Sequence, residues 1–493
     1  MSPAAIVLQE VLNDLDVLSA PEAVGALKVT GISDDSRAVC EGDLFVAVRG
    51  DASDGHDYVS TAVDSGAVAV LAERAVEANV PVVIAEDLKR QRSAIADRIY
   101  GEPSAALTCV GVTGTNGKTS IACFIAELAE KLGRPAGYMG TIGWGEPGAL
   151  SPASLTTESA IMVQARLAGF RDRALDWAVL EVSSHALDQH RVDAVRFNYA
   201  VFSNLSRDHL DYHEDFESYG RAKARLFRFP DLAAAVINLD DDFGRRLAAE
   251  IDGAVQVLSY GECDAADVRW SDLDFHSAGV RGHLRTPWGA ADFDLPLYGD
   301  FSVANAAAAL CVLCDAGWTL DEVTSALGGL TPVPGRMEFF AGAPTLVVDY
   351  AHTPDALGKM LAALKPHLNS ETADGEARLI CLCGCGGDRD RGKRPLMAAA
   401  ACAEADEVWL TSDNPRSEDP AAIIDDMLAG VPDSARVEVC VDRREAIESA
   451  VRAAGPRDLV VIAGKGHEDY QEINGQKLPF DDRAIARALT EGR

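Results

Sequence analysis

The sequence predicts an α/β protein made of three separate parallel-sheet domains, and three observations carry that expectation. The chain has 493 residues, which at roughly 100–200 residues per domain implies about three units. Short apolar runs alternate with helical patterns along most of its length, the rhythm of strands joined by crossover helices. Two turn-rich joints, Gly101-Glu-Pro-Ser104 and Leu330-Thr-Pro-Val-Pro-Gly-Arg336, interrupt the rhythm, and a fresh strand pattern follows each. The expected units are therefore residues 1–104, 105–333 and 334–493.

Within the first unit, Leu44–Val48, Ala67–Leu71 and Val80–Ile84 read as strands between Gly/Asp turns, and Leu88–Tyr100 as a helix. The second opens with a strand at Leu107–Val112, a glycine loop and a long helix at Ser120–Leu132. Buried strands at Trp177–Val182 and Tyr199–Asn204 come next. Apolar runs of that kind imply a parallel sheet covered by helices on both faces. The third unit restarts the pattern with Thr345–Asp349, Leu379–Cys383, Glu407–Thr411 and Leu459–Ala463.

Composition narrows the function classes. A hydrophobic share of 48% with 25% charged residues excludes a disordered or collagen-like chain. Lys+Arg 45 against Asp+Glu 77 gives 45 − 77 = −32, a field that repels nucleic acid and anionic membranes. Anionic ligands must be met by a few local cations. Eleven scattered cysteines, an odd number, fit a reduced cytoplasmic setting. The first ten residues lack a basic leader, and no run of 18 apolar residues occurs. Cys311-x-x-Cys314 and Cys381-x-Cys383-x-Cys385 have no partner pair at zinc spacing and read as buried small hydrophobes.

The strongest chemical signal is Gly111-Val-Thr-Gly-Thr-Asn-Gly-Lys-Thr119, placed after a buried strand and before a helix. Glycines there let backbone N–H groups turn onto phosphate oxygens, Lys118 reaches the β- and γ-phosphates, and the Thr119 hydroxyl joins Mg²⁺. Val112 departs from the strict phosphate-loop pattern, which has glycine at that position. Glu181 ends a second strand, where open α/β sheets present ligand groups, and is expected to hold Mg²⁺. His209, Asp211 and His213 crowd one turn, ahead of a helical segment carrying Lys223. Spacing alone leaves that turn open as a transition-metal site or a capped turn. The segment Gly387–Arg394 mixes acids with its arginines and lacks aromatics, so it reads as a solvated loop.

Taken together, the motif Thr113–Thr119, Glu181-Val-Ser-Ser-His185, Ser203–Asp211, Ala222-Lys223, Asn305, Pro334-Gly-Arg336 and Asp349-Tyr-Ala-His352-Thr-Pro-Asp355 resemble the Mur ligase family. The resemblance runs in order across essentially the whole chain. It implies a nucleotide-sugar N-terminal domain, a central phosphate-loop ATPase domain and a Rossmann-like C-terminal domain. It further implies ATP-dependent amide formation through an acyl phosphate. Gly114, Thr115, Asn116, Gly117, Lys118, Thr119, Ser120, Asn305, Arg336, Asp349 and His352 would bind ATP. Lys118, His209 and Lys223 would be catalytic, with Lys223 carried as N6-carboxylysine. Thr119, Glu181, His209 and that carbamate would serve two Mg²⁺ sites.

Two further stretches, Thr411-Ser-Asp-Asn-Pro-Arg416 and Gly464-Lys-Gly-His-Glu468, resemble the branch that adds meso-diaminopimelate to UDP-N-acetylmuramoyl-L-alanyl-D-glutamate. By that resemblance Arg389, Asp413, Asn414, Arg416, Gly464 and Glu468 form the diamino-acid pocket. Arg416 would meet the carboxylate that lysine lacks, and Glu468 an ammonium. Ser36, Thr156, Thr157, Ser183, Gln189 and Arg191 would bind the UDP-muramoyl dipeptide. Asp34 stands where relatives commonly carry an apolar residue, and Asp51-Ala-Ser53 departs from the family's uridine motif. The chain is thus expected to be a cytoplasmic monomer of peptidoglycan synthesis acting on small molecules, with no nucleic-acid or membrane partner. The rivals are a lysine-adding relative, a folylpolyglutamate synthetase-like ligase, and a silent nucleotide-binding scaffold.

Overall fold

The computed structural model describes residues 5–13, 15–50, 53–209, 212–276, 278–368 and 377–491. Three sheets, contributed by successive stretches of chain, organise the molecule. The first combines β1 (Val17–Ser19), β2 (Gly31–Ser33), β3 (Asp43–Ala47), β4 (Ala69–Ala72) and β5 (Val82–Ala85) in the order β1-β5-β4-β3-β2. Only the β1 pairing is antiparallel. Helices α1 (Val59–Asp64) and α2 (Leu88–Ile99) belong to this unit.

The central sheet has eight strands. They are β6 (Thr108–Thr113), β7 (Ala136–Gly140), β8 (Gly143–Glu146), β9 (Ala149–Ser151), β10 (Trp177–Glu181), β11 (Phe197–Phe202), β12 (Ala234–Asn238) and β13 (Gln256–Tyr260), in the order β9-β8-β7-β10-β6-β11-β12-β13. The parallel part, in sheet order β7-β10-β6-β11-β12-β13, is buried on both faces. One apolar cluster contains α3 (Lys118–Lys131) and α8 (Asp300–Asp315); the other contains α4 (Ala160–Asp172) and α6 (Phe216–Ala224). Strands of this kind read as unbroken apolar runs, which is why Trp177–Glu181 and Phe197–Phe202 were recognisable.

Two features depart from the expected all-parallel layer. Strands β8 and β9 extend the sheet as an antiparallel meander. In addition, β14 (Arg269–His276), β15 (Gly279–Thr286) and β16 (Gly289–Leu295) form a separate antiparallel sheet. One face of that sheet packs on the core through Val280, Leu284, Phe293 and Leu295, so its strands alternate apolar and polar residues instead of forming continuous runs.

The C-terminal sheet follows the order β17-β18-β22-β19-β20-β21. Its strands are β17 (Glu338–Phe340), β18 (Thr345–Asp349), β19 (Leu379–Cys383), β20 (Glu407–Leu410), β21 (Val437–Val439) and β22 (Leu459–Ala463), parallel except at β17. A two-stranded hairpin, β23 (Tyr470–Ile473) and β24 (Gln476–Pro479), stands beside it. Cys311, Cys314, Cys381, Cys383 and Cys385 are all buried, as small hydrophobes would be. Among the described residues no helix is long and apolar enough to cross a membrane.

Asp97 on α2 is nearly buried, and its Oδ1 has no hydrogen-bond partner. Burial, helped by the nearby Glu102 charge, raises its pKa to about 6. The folded state therefore holds this proton more tightly than the unfolded chain, and the ionised carboxylate costs stability above pH 6 but not below pH 4. Asp97→Asn removes that titration. Its stability relative to wild type is expected to improve by about 2 kcal/mol between pH 4 and pH 8, measured by urea unfolding at both pH values.

Candidate active site

The site begins where β6 ends, in the middle of the central sheet between β10 and β11. The chain turns through Gly114 (φ +144°) and Gly117 (φ +85°) before α3 starts at Lys118. A Cβ at Gly114 would overlap Ser203 Oγ, and one at Gly117 would lie 2.7 Å from Asn305 Oδ1. Glycine is thus required by packing as well as by backbone angle. The segment leaving β11 props the loop. Thr115 N donates to Asn204 O (2.8 Å), Asn116 N to Asn204 Oδ1 (3.0 Å), and Ser206 N to Thr115 Oγ1 (3.0 Å). Lys118 Nζ folds over the loop and donates to the Gly114 and Thr115 carbonyls at 3.0 and 2.9 Å. Burial lowers its pKa.

Glu181, 1% exposed at the end of β10, faces this loop. Its Oε2 accepts hydrogen bonds from the hydroxyls of Thr119 (3.0 Å) and Thr141 (3.1 Å). Its Oε1 accepts from Tyr138 OH (2.5 Å) and Thr141 N (2.8 Å). A carboxylate beside a hydroxyl at the head of a phosphate loop is an all-oxygen, hard donor set. It suits Mg²⁺, which takes one or two protein oxygens and completes its octahedron with phosphates and water.

Lys223 is 1% exposed and donates to Gly114 O at 2.6 Å, with its Nζ 4.4 Å from the Tyr219 ring centroid. Burial, reinforced by the Lys118 cation, pushes its amine well below the ordinary lysine range. His209 lies beyond the same tyrosine, with ring centroids 6.1 Å apart, and sits edge-on to His185 at 4.9 Å. Among the described residues no group of three His, Cys, Asp or Glu side chains could hold a metal, and Asp211 lies outside them.

A second constellation adjoins Glu181. Thr157 Oγ1 donates to the Glu181 carbonyl (2.7 Å) and accepts from Ser183 N (3.0 Å). Arg191 donates to Thr157 O (2.7 Å) and to Gln189 Oε1 through Nε (3.0 Å) and NH2 (2.5 Å). With the Thr141 proton on Glu181, Thr141 Oγ1 accepts from the Thr156 hydroxyl at 3.1 Å. Ser183 also caps the short helix α5 (Ser184–Asp188). All five predicted dipeptide residues of the central domain are therefore brought together beside Glu181. Ser36 is buried in the first domain, and among the described residues it shares no hydrogen bond with this cluster. Next to it Asp34 pairs with Arg92 at 2.7 Å. Asp51 lies outside the described residues.

The linker after residue 333 reaches back into the phosphate site. Arg336 NH2 donates to Thr119 Oγ1 (3.3 Å), and its guanidinium lies 4.2 Å from the Tyr350 ring centroid. Asp349 is fixed by Met337 N and Ala351 N, both at 2.7 Å. Burial raises its pKa, with Arg336 opposing. Burial also lowers the pKa of His352, with the Lys393 charge adding to the effect. Tyr350 in turn packs on His467 at 5.2 Å, one residue before Glu468.

Glu468 anchors a further group of side chains in the C-terminal domain. Its Oε2 accepts from Asn414 Nδ2 and from Lys465 Nζ, both at 2.8 Å. A Cβ at Gly464 would lie 2.7 Å from Asp413 Oδ2. Arg416 adopts a left-handed backbone (φ 51°), and its NH1 donates to Gly387 O at 2.8 Å. Gly386 lies between Arg416 and the exposed Arg389, since a Cβ there would meet Arg416 NH1 at 2.8 Å and Arg389 Cγ at 3.9 Å. Several contributors to this architecture were not singled out from sequence. Tyr138 and Thr141 hold Glu181, Asn204 and Ser206 hold the loop, and Lys465 is fully buried against Glu468. Lys465 stood inside a recognised motif, so its position was the available signal; Tyr138 and Thr141 carried none.

Residues 28–99, 112–313 and 335–466 match the profiles described as Mur ligase family catalytic domain, Mur ligase middle domain and Mur ligase glutamate ligase domain. The chain belongs to the Mur ligase family. It is 46% identical to the UDP-N-acetylmuramoyl-L-alanyl-D-glutamate--2,6-diaminopimelate ligases of Ectopseudomonas mendocina and Pseudomonas aeruginosa, covering 94% of this chain and 95% of each relative. A solved structure of an enzyme of that name shares 38% identity over 99% of both chains, with a TM-score of 0.72. The fold is shared more distantly with the ADP complex of MurF ligase from Thermotoga maritima. That likeness has 21% identity and a TM-score of 0.66, over 88% of this chain and 93% of the other.

Gly114→Ala places a methyl group against Ser203 and forces a left-handed alanine. Nucleotide affinity is expected to fall at least tenfold, ~1.4 kcal/mol, by isothermal titration with ADP, while the melting temperature changes far less.

Proposed function

We propose that this chain is an ATP-dependent carboxylate–amine ligase that joins meso-diaminopimelate to UDP-N-acetylmuramoyl-L-alanyl-D-glutamate, a cytoplasmic step of peptidoglycan precursor synthesis. One observation supports the reading most. A continuous line of contacts runs from Thr119 through Arg336, Tyr350 and His467 to the segment carrying Glu468. This line of contacts supports a reading in which phosphate chemistry and amine recognition work together across the linker.

The chemistry follows from the residues present. A carboxylate is a poor acyl donor, and transfer of the γ-phosphoryl group to it turns one oxygen into a leaving group. The substrate's glutamyl carboxylate attacks phosphorus, ADP departs, the amine adds to the acyl phosphate, and phosphate leaves. The backbone N–H groups at the start of α3 and the Lys118 ammonium hold the phosphates, while Asn204 takes up those of Thr115 and Asn116. Thr157, Ser183, Gln189 and Arg191 orient the dipeptide acid, converting a bimolecular encounter into a positioned one. Mg²⁺ on Thr119 and Glu181 would supply charge neutralisation of the triphosphate. Arg336 closes over Thr119 from the linker and helps exclude water from the acyl phosphate.

Lys223 is suited to carry a carbamate. A buried amine held neutral by desolvation is nucleophilic toward dissolved carbon dioxide, and the product is an oxygen ligand where an ammonium could not bind a cation. At the other end, Arg416 offers the planar two-pronged partner that a second carboxylate needs, and lysine would leave it unpaired. That favours diaminopimelate over the lysine-adding alternative.

Lys223→Ala is expected to lower turnover at least ~100-fold, comparable to losing one preorganised charge-stabilising group, and to be partly rescued by added acetate or formate in an ADP-release assay. Arg416→Ala is expected to reduce the ratio of kcat/KM for meso-diaminopimelate over L-lysine by roughly 100-fold; an unchanged ratio would remove Arg416 from the specificity site.

A further inference from the structure

Arg416 does not hold its position alone. The hairpin β23–β24 is stitched to the loop that carries it. Arg416 N donates to Glu472 O (2.9 Å), and Asn474 N donates to Arg416 O (2.7 Å). Glu472 N donates to Asn414 Oδ1 (2.9 Å), and Gln471 Nε2 donates to Asp413 O (2.6 Å) and Ser412 Oγ (3.2 Å). Arg416 and Ile473 form an isolated parallel bridge, which locks an arginine whose left-handed backbone would otherwise relax.

The side chains continue the pattern. Glu472 Oε2 pairs with Arg416 Nε at 3.2 Å, while NH1 gives one proton to Gly387 O at 2.8 Å. With Nε engaged on one side, the guanidinium plane is set by Glu472, and the NH1/NH2 edge is left to meet a carboxylate end-on. Arg416 is 23% and Glu472 27% exposed in their side chains, so the pair is reachable from solvent and is not sealed in the core.

We propose that Glu472 is a specificity-determining positioning residue. By clamping Arg416 through Nε it presents the remaining edge to the second carboxylate of the diamino acid, and so sets the preference for that substrate over lysine. An exposed ion pair by itself contributes little to stability, so its value lies in aiming a neighbour whose misplacement by a fraction of an ångström weakens selectivity. The inference rests on the diaminopimelate-adding reading given above.

The test uses the full-length protein and ADP release with meso-diaminopimelate or L-lysine as the amine. For Glu472→Ala the KM for meso-diaminopimelate is expected to rise about tenfold, with KM for ATP and the nucleotide sugar within twofold of wild type. The diaminopimelate-to-lysine ratio of kcat/KM falls correspondingly, because lysine makes no use of the aimed guanidinium. Glu472→Gln keeps an oxygen for Nε and should retain most of the ratio; Glu472→Lys, which places a like charge beside Arg416, should lose more than alanine. An unchanged ratio in Glu472→Ala overturns the proposal. So does a loss shared equally by all substrates and accompanied by a lowered melting temperature. If wild type shows no preference for meso-diaminopimelate, the substrate reading itself fails; if wild type prefers it while all three variants keep the ratio, only the role of Glu472 fails.

Discussion

Glu181 binds the catalytic end of the central domain into one unit. Its two oxygens take four hydrogen bonds, from Thr119, Tyr138 and two groups of Thr141. Its backbone carbonyl holds Thr157, which in turn meets Ser183 and Arg191. A buried carboxylate is expensive unless its lone pairs are occupied, and here each partner is itself part of the site. The phosphate loop, the strand-end acid and the dipeptide cluster therefore share one constraint, since displacement of Glu181 would disturb all three.

Cation placement follows the same economy. The chain carries a formal charge of −32, yet Lys118, Lys223 and Arg336 converge on residues 114–119. Two of them answer burial differently. Burial lowers both amines, but Glu181 and Asp208 draw Lys118 back toward its charged form, and the Gly114 and Thr115 carbonyls hold it. Lys223, further from solvent and beside another cation, is driven toward the neutral amine. The same residue type thus meets two electrostatic environments because neighbouring charge differs.

Much of this was legible in the sequence. Strands buried on both faces announce themselves as apolar runs, so Thr108–Thr113, Trp177–Glu181, Thr345–Asp349 and Leu459–Ala463 lay where the runs did. The phosphate loop was plain because glycine, lysine and threonine in that order suit little else at a strand–helix turn. The sheet Arg269–Leu295 was missed because one of its faces is wet, and its alternation is weaker than a run. Tyr138, Thr141 and Glu472 were invisible for another reason. Each acts by touching a residue far away in the chain, and no local pattern marks a side chain whose partner is supplied by folding.

Every group of the proposed diamino-acid pocket, from Gly386 through Arg416 to Glu468 and the hairpin, follows the proline-rich linker, while the residues proposed to activate the acid precede it. Arg336 and its ring partner Tyr350 are the bridge between the two halves. Such a division makes the choice of nucleophile separable from the energetics of phosphoryl transfer. A lineage could exchange one cell-wall building block for another by rewriting a single terminal module, leaving the engine that drives bond formation untouched.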